Sequence, residues 1–285
     1  MLPSTSKRIP VALWIWYCGG NFRGFQRQPE GPTVQEALEG ALRSVGVPAT
    51  VMPSGRTDRG VHARMQVVSV RLEAGDSPES LAQRLPAHLP SGLGLCLVRR
   101  PGSFHAQWSA SGKEYRYRMR LGGGAPVPEW APYSLDVAGE EVGLHGQGAT
   151  VKPERVAELL AMAAGTRDFI AFHEKSSPRK PRTLESATLH ERGGGLFEAR
   201  LIGDGFARYQ VRYVVGGALK VAAGLLPEEA WLAALETGAA MEGFKAPAHG
   251  LMLWEVRYPP GVDPFTAPER LHPPGLPLEP PFLPG

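Results

Sequence analysis

The hydrophobic pattern of the first fifty residues predicts a strand followed by a helix. Residues 11–17 form an apolar run that is typical of a buried strand, and a glycine-rich loop follows at 18–25. A helix then begins after Thr33, because Thr33-Val-Gln-Glu36 matches a capping box. The predicted buried face of this helix consists of apolar residues at helical spacing, namely Val34, Leu38, Ala41, Leu42 and Val45.

The remainder of the first half continues with two strands, a helix and a strand. Strand-like runs at 49–52 and 65–71 lie on either side of a turn, a second helix is predicted at about 78–85, and another strand at 94–99. The resulting order, β-α-β-β-α-β, is that of a ferredoxin-like unit.

The second half repeats this order loosely. We predict strands at 113–121, 183–190, 196–202 and 251–258. We predict helices at 153–164, at about 207–224 and, inserted before the last strand, at 227–235. The prediction for the whole chain is an α+β fold in which two ferredoxin-like subdomains lie side by side and form one mostly antiparallel sheet with a central cleft.

The predicted elements divide the chain into three segments. The N-terminal subdomain covers residues 1–110 and the C-terminal subdomain covers residues 111–258. The tail, 259–285, is rich in proline and has little periodicity, so we expect it to be extended or disordered.

Composition limits the class of protein. At 285 residues with 42% hydrophobic side chains, the chain is long enough for two domains with their own cores. It contains no apolar run of 18 residues, and its N-terminus lacks the long apolar region of a signal peptide. Its two cysteines are too few for a disulfide framework and have no metal-ligand spacing. We therefore expect a cytoplasmic protein that does not enter a membrane.

The formal net charge is only +3, so the distribution of charge is more informative than its total. Basic residues concentrate in three groups: Arg56, Arg59 and Arg64; Lys113, Arg116, Arg118 and Arg120; and Lys175, Arg179, Lys180 and Arg182. Arginine suits bidentate contacts with phosphate, which favours a nucleic-acid partner. A coding bias towards arginine would give the same excess.

Strand alternation separates the side chains of residues 113–121 into two sets. Tyr115 and Tyr117 share one face, and Arg116, Arg118 and Arg120 share the other. Plain core packing is the favoured interpretation for Tyr117. For the three arginines, a solvated outer face and a contact with nucleic acid are equally good interpretations.

The turn between the two strands at 49–52 and 65–71 carries the clearest candidate chemistry. In Ser54-Gly-Arg-Thr-Asp-Arg-Gly-Val-His-Ala63, Asp58 lies between Arg56 and Arg59, and Gly55 and Gly60 allow the chain to bend sharply. Flanking arginines would keep the carboxylate ionised and could also meet phosphate. The same residues would also serve in an ordinary surface turn.

Four separated motifs in the same order give residues 11–258 a resemblance to the TruA family of tRNA pseudouridine synthases. The motifs are Tyr17-Cys-Gly-Gly-Asn-Phe-Arg-Gly-Phe-Gln-Arg-Gln28 with Thr33-Val-Gln-Glu-Ala-Leu-Glu39; Gly55-Arg-Thr-Asp-Arg-Gly-Val-His-Ala63 with Gln66-Val67; Phe104-His-Ala106 with Lys113-Glu-Tyr-Arg-Tyr117; and Gly205-Phe-Ala-Arg-Tyr-Gln-Val-Arg-Tyr-Val-Val-Gly216. A chance match to all four is far less probable than a match to any one.

The resemblance implies an isomerase that needs no cofactor and no metal. Pseudouridine formation breaks the N1–C1′ bond of a uridine, turns the uracil and rejoins it through C5. Because no water attacks, the second carboxylate of a glycosidase is not needed. Asp58 matches the single catalytic carboxylate of the family. Attack on C1′, attack on the base and removal of a sugar proton all remain open as its mode of action.

The resemblance also implies roles for other residues. Tyr115 matches the tyrosine that packs on the flipped uracil, and Arg212 matches the arginine that pairs with the catalytic carboxylate. Arg56 matches the residue that takes the place of the flipped nucleotide, with simple phosphate contact as the alternative. Further candidate RNA contacts are Arg59, His62, Lys175, Arg179, Lys180 and Arg182. His62 could equally be structural, and the segment at 175–182 could be an ordinary surface loop.

As for partners, the resemblance implies tRNA, modified at uridines 38–40 of the anticodon stem-loop, and a homodimer with tRNA lying across both subunits. Three positions near the implied site depart from the family pattern, namely Cys18, Gln210 and Tyr213. These departures keep two alternatives open: a pseudouridine synthase with a different RNA target, and a non-catalytic tRNA-binding paralogue.

Overall fold

The computed structural model describes residues 8–73, 75–121, 127–137, 151–174, 179–243 and 245–283. Within these ranges the chain divides into two compact units. The first unit contains the residues up to Ser111 together with Leu253–Leu283, and the second contains Gly112–Met252. The chain therefore returns to the first unit at Leu253, which differs from the predicted assignment of residues 111–258 to one subdomain.

The first unit has the predicted β-α-β-β-α-β order. Its strands are β1 Ile9–Tyr17, β2 Met52–Pro53, β3 His62–Leu72 and β4 Leu93–Arg99. Its helices are α1 Val34–Ser44, α2 Pro78–Arg84 and, near the end of the chain, α6 Ala267–Leu271.

The second unit contains most of the remaining elements. Its strands are β5 Gly112–Arg120, β6 Leu135–Asp136, β7 Gly165–Arg167, β8 Arg182–Gly193 and β9 Leu196–Gly203. Its helices are α3 Pro153–Met162, α4 Gln210–Ala222 and α5 Glu228–Thr237. The last strand, β10 Leu251–Arg257, begins in the second unit and continues in the first.

Strand pairing is mostly antiparallel, and the prediction of an α+β fold is confirmed. In the first unit the strand order is β4-β1-β3-β10, with β2 at the side of β3. β1 runs antiparallel to both β3 and β4. In the second unit the order is β5-β9-β8-β7, and all three of these pairings are antiparallel. The short strand β6 pairs with β5 in parallel.

Most of the side chains that gave β1 and α1 their recognisable apolar patterns are buried. Side chains on both faces of β1 are buried, which is why its sequence is a continuous apolar run. The capping box at the start of α1 is present, since the Thr33 hydroxyl accepts from the backbone of Glu36 and the Glu36 carboxylate accepts from the backbone of Thr33. The five apolar residues predicted for its inner face are all buried.

On the arginine face of β5, Arg116 and Arg118 are closed to both solvent and RNA, whereas Arg120 is half-buried. Arg116 and Arg118 are buried and form ion pairs with Glu198 of β9, at 3.2 and 3.1 Å. Arg192 and Arg200 contact the same carboxylate, at 2.5 and 3.1 Å. The alternation of side chains along β5 is therefore as predicted, but a buried carboxylate from the neighbouring strand occupies the face that we expected to meet solvent or nucleic acid.

The proline-rich tail also differs from the prediction. It contains helix α6, and its Phe265 and Phe282 side chains are buried. Phe265 packs edge-on against Trp14, and Phe282 against Trp16, with ring centroids 5.4 and 5.1 Å apart. Isolated aromatic anchors of this kind give no periodic apolar pattern, which is why the sequence did not predict them.

No helix within the described ranges combines the length and the apolar composition that are needed to cross a bilayer.

Candidate active site

The Asp58 turn connects β2 and β3 in the first unit. Asp58 is half-buried, whereas Arg56 and Arg59 on either side of it are exposed. The Thr57 carbonyl accepts the backbone N–H of Phe25 at 3.0 Å, and the Asp58 carbonyl accepts that of Val61 at 3.1 Å. The backbone on both sides of the carboxylate is therefore fixed, while its arginine neighbours extend into solvent.

A buried polar network lies beneath this turn. The Tyr17 hydroxyl is 2.7 Å from the Thr57 hydroxyl, and the Gln66 amide donates to the Gly55 carbonyl at 2.7 Å. The Ser54 hydroxyl donates to the Gln66 side-chain oxygen, also at 2.7 Å. Burial raises the pKa of Tyr17 to about 12, and the negative charge of Asp58 acts in the same direction. Tyr17 therefore remains a neutral hydroxyl that supports the turn.

The glycine-rich loop after β1 packs directly against the Asp58 turn. A Cβ atom at Gly19 would lie 2.6 Å from the carbonyl carbon of Gly60 and still closer to the carbonyl of Val61. Gly24 has a φ of +98°, and a Cβ there would lie 3.0 Å from the Thr57 carbonyl oxygen. The two glycines are required because backbone approaches backbone at this point.

His62 connects the same two segments. Its ring is buried, and its Nδ1 accepts the backbone N–H of Gly19 at 3.0 Å. This placement favours the structural alternative for His62 over direct contact with RNA.

Tyr115 and Arg212 belong to the second unit. The Tyr115 ring lies on β5, is largely buried and packs edge-on against Phe206, with centroids 5.1 Å apart. Arg212 lies in the first turn of α4, where its Nε donates to the Ala246 carbonyl at 2.6 Å. Burial raises the pKa of the Tyr117 phenol, and the positive charge of Arg212 opposes this rise by a smaller amount. Tyr117 is fully buried, as predicted for a core residue.

Sequence reasoning missed two residues beside Arg212, namely Tyr209 and Lys245. Tyr209 precedes α4 with a left-handed backbone, at φ 65°. The Lys245 ammonium lies 4.0 Å from the centroid of the Tyr209 ring, and the Arg212 guanidinium lies 5.3 Å from it. A left-handed tyrosine is uncommon and often marks a functional region, but no sequence pattern predicts it.

The candidate RNA contacts at 179–182 separate into two kinds. Arg179 and Lys180 are exposed, and Arg179 pairs with Asp168. Arg182 is buried and donates to the Lys180 carbonyl at 3.1 Å, and burial lowers the pKa of its guanidinium. Direct contact with RNA is therefore open to Arg179 and Lys180 but not to Arg182. Lys175 lies outside the described residues.

The chain is similar to several known proteins. A model of the tRNA pseudouridine synthase family matches residues 159–259. The tRNA pseudouridine synthase A of Exiguobacterium sibiricum is 36% identical over 253 residues, which cover 86% of this chain and 95% of the relative. That of Chlorobaculum tepidum is 36% identical over 262 residues, which cover 89% and 99%. That of Geobacillus kaustophilus is 33% identical over 255 residues, which cover 86% and 92%.

The chain belongs to the tRNA pseudouridine synthase family. By this membership it is an isomerase. The family resemblance inferred from the four motifs is thereby confirmed.

The three residues that depart from the family pattern lie in different surroundings in this synthase. Burial raises the pKa of the Cys18 thiol to about 11, with a smaller contribution from Glu279, so the thiol is protonated at neutral pH and is a poor nucleophile. Gln210 is buried and its side chain accepts the backbone N–H of Ala207 at 2.8 Å, which fixes the approach to α4. Tyr213 is half-buried, with the Lys245 ammonium 5.9 Å from its ring centroid.

Proposed function

We propose that this synthase converts uridine to pseudouridine at positions 38–40 of the tRNA anticodon stem-loop, with Asp58 as its single catalytic carboxylate. The observation that carries the proposal is the Asp58 turn. Its backbone is fixed by hydrogen bonds on both sides and supported by the buried Tyr17, Thr57 and Gln66 side chains. A half-buried carboxylate on such a support is pre-organised for chemistry.

The isomerisation requires one carboxylate and no added group. The N1–C1′ bond breaks, the uracil turns, and a C5–C1′ bond forms. The proton on C5 is lost to solvent and N1 gains a proton, so atoms and charges balance. Asp58 stabilises the sugar or the base while the two are separated.

Tyr115 and Arg212 have the roles that the resemblance implies. Tyr115 packs on the flipped uracil, which compensates for part of the lost base stacking. The edge-on contact with Phe206 supports this role, because it fixes the plane of the Tyr115 ring. Arg212 is the charge partner of the catalytic carboxylate, and the bond from its Nε to the Ala246 carbonyl fixes the direction of its guanidinium.

Exposed arginines and lysines contact the rest of the RNA. Arg56 takes the place of the flipped nucleotide, and Arg59, Arg179 and Lys180 contact phosphates. Their exposure supports these roles, because a phosphate contact requires a side chain that solvent can reach.

The active form is a cytoplasmic homodimer with tRNA lying across both subunits. Sedimentation equilibrium of the purified protein should give twice the mass of the chain. A monomer that modifies tRNA at the full rate would contradict this part of the proposal.

Tritium release tests the proposed reaction. A tRNA labelled with tritium at C5 of its uridines should lose label to water with the wild type and retain it with Asp58→Asn. The matched control is Asp76→Asn, which makes the same change on a loop before α2 and should release label like the wild type. Release by Asp58→Asn at the rate of the wild type would exclude Asp58 as the catalytic residue.

Two further outcomes identify the alternatives. Release that persists after uridines 38–40 are replaced by cytidine would indicate a different target. Tight tRNA binding by the wild type without any release would indicate a non-catalytic binding protein.

A further inference from the structure

Trp108 is an exposed aromatic ring on the loop between β4 and β5, in the first unit. It is 80% exposed, whereas the other five tryptophans of the chain are buried or half-buried. A single exposed apolar side chain is ordinary. Trp108 differs from that ordinary case because a neighbouring ring and a fixed backbone hold its side chain in place.

The Trp108 ring is stacked on His105. Their ring centroids are 4.0 Å apart and their planes differ by only 14°. The Nδ1 atom of His105 accepts the backbone N–H groups of Gln107 and Trp108, at 3.2 and 3.3 Å. Burial lowers the pKa of His105, so the imidazole is neutral near pH 7. One face of Trp108 therefore has a flat, uncharged partner, and the other face is open.

The backbone of this loop is fixed to the first unit. The Ala106 N–H donates to the Ser69 hydroxyl of β3 at 2.7 Å, and the Tyr258 hydroxyl donates to the Ala106 carbonyl at 2.8 Å. Within the loop, His105 and Ser109 exchange two hydrogen bonds, at 3.0 and 2.9 Å. A ring on such a backbone loses little conformational freedom when it binds a partner.

We propose that the open face of Trp108 stacks on an unpaired nucleobase of the RNA substrate. This inference rests on the proposed function for the identity of the RNA. Stacking on a base requires one flat aromatic face and no sequence-specific hydrogen bonds to the base. The His105–Trp108 pair offers such a face. A protein partner would require a contiguous apolar patch, but the chain neighbours of Trp108, Gln107 and Ser109, are polar, and Phe104 of the same loop is half-buried against Tyr258.

Equilibrium binding of an unmodified tRNA transcript tests the proposal. Trp108→Ala should raise the Kd roughly five- to 150-fold, which is the range for loss of one base–aromatic stack. Trp108→Phe should raise it less, because a smaller flat ring remains. The matched control is Leu271→Ala, which removes another exposed apolar side chain (72% exposed) of the first unit and should leave Kd unchanged.

A base-paired RNA duplex distinguishes stacking from general attraction. Because a duplex offers no unpaired base, its affinity should be the same for the wild type and Trp108→Ala. In turnover with tRNA, Trp108→Ala should raise KM and leave kcat close to that of the wild type, since the stack is the same before and during the reaction. Thermal unfolding of each variant checks that it is folded.

Two outcomes would overturn the proposal. The first is a Kd for tRNA that Trp108→Ala leaves unchanged; a change in the sedimentation of the variant in that case would assign the ring to a contact between copies of the chain. The second is an equal loss of affinity for tRNA and duplex. A failure of the proposed function is distinguishable, because it would appear as absent tritium release by the wild type whatever the effect of Trp108.

Discussion

At the scale of single residues, the Tyr17 hydroxyl is the centre of the support for Asp58. It bonds to the Thr57 hydroxyl at 2.7 Å and accepts from the Gln66 amide at 3.4 Å. Tyr17→Phe removes only this oxygen and leaves two buried polar groups with one partner fewer. We expect the free energy of unfolding to fall by about 1–3 kcal/mol. We also expect kcat for tritium release to fall with little change in KM, because the turn that holds Asp58 becomes less rigid.

The control for Tyr17→Phe is Ser134→Ala in the second unit. It deletes another buried hydroxyl, which donates to the Trp130 carbonyl at 2.9 Å. Denaturant unfolding should show a comparable loss of stability, but kcat should remain that of the wild type. Equal kcat values for the two variants would show that Tyr17 contributes to stability alone.

At the scale of elements, the contact between the glycine-rich loop and the Asp58 turn depends on Gly19. Gly19→Ala would insert a methyl group where the backbone of Gly60 and Val61 already lies. Because neither backbone segment can move without the other, we expect a loss of about 1–3 kcal/mol in stability and a large loss of tritium release.

Gly20 offers the matched control, since a Cβ at this position would have no atom within 4 Å apart from those of its own chain neighbours. Gly20→Ala should therefore unfold at the same denaturant concentration as the wild type and release tritium at the same rate. A Gly19→Ala variant that is as active as Gly20→Ala would show that the close approach of the two segments has no part in the reaction.

The ion cluster between β5, β8 and β9 predicts a stability that depends on pH. Burial opposes ionisation of Glu198, but the nearby Arg118 and Arg116 outweigh it and lower the pKa of this carboxyl below its usual 4.5. A lowered pKa stabilises the fold above the unfolded value, and the contribution disappears as the pH falls through the folded value. Glu198→Gln should cost about 3–5 kcal/mol at pH 7, because four arginines lose their common carboxylate.

Urea unfolding at several pH values checks this prediction. The difference between the wild type and Glu198→Gln should be largest near pH 7 and should become smaller below pH 4.5 as the wild type loses its own ionised carboxylate. The control is Glu191→Gln on β8, which is exposed and should have little effect at either pH. A difference that is the same at pH 7 and pH 3 would show that the loss is one of packing, not of charge.

Most elements could be predicted from local sequence signals, whereas contacts between residues far apart in the sequence could not. The capping box at Thr33 and the helical spacing after it are contained in thirteen neighbouring residues, so α1 could be predicted directly. The alternation along β5 was equally local. The burial of Arg116 and Arg118 could not be predicted, because it depends on Glu198, which is some eighty residues away in the sequence. The Asp58 turn was predictable from its motif, but the stacking of Trp108 on His105 depends on geometry that no motif specifies.

At the scale of the whole molecule, the final segment determines which residues complete the first unit. The chain passes through the second unit and then returns to the first with Leu253–Leu283. The return could not be predicted from the proline-rich sequence of the tail, because the contacts of the tail come from a few isolated residues. The Trp16 indole, for example, donates to the Gly275 carbonyl at 2.9 Å, across more than 250 residues of sequence.

Phe282 is the last of these anchors, and its removal tests whether the tail is part of the fold. The ring is buried and packs edge-on against Trp16. Phe282→Ala should lower the free energy of unfolding by about 3–5 kcal/mol, as for other buried phenylalanines. The control, Leu278→Ala, truncates a side chain of the same tail that is 86% exposed, and denaturant unfolding should not distinguish it from the wild type. If both variants unfolded like the wild type, the tail would lie on the first unit without stabilising it. The expected result, with Phe282→Ala alone destabilised, would show that Phe282 and its contact with Trp16 belong to the stabilising core of the first unit.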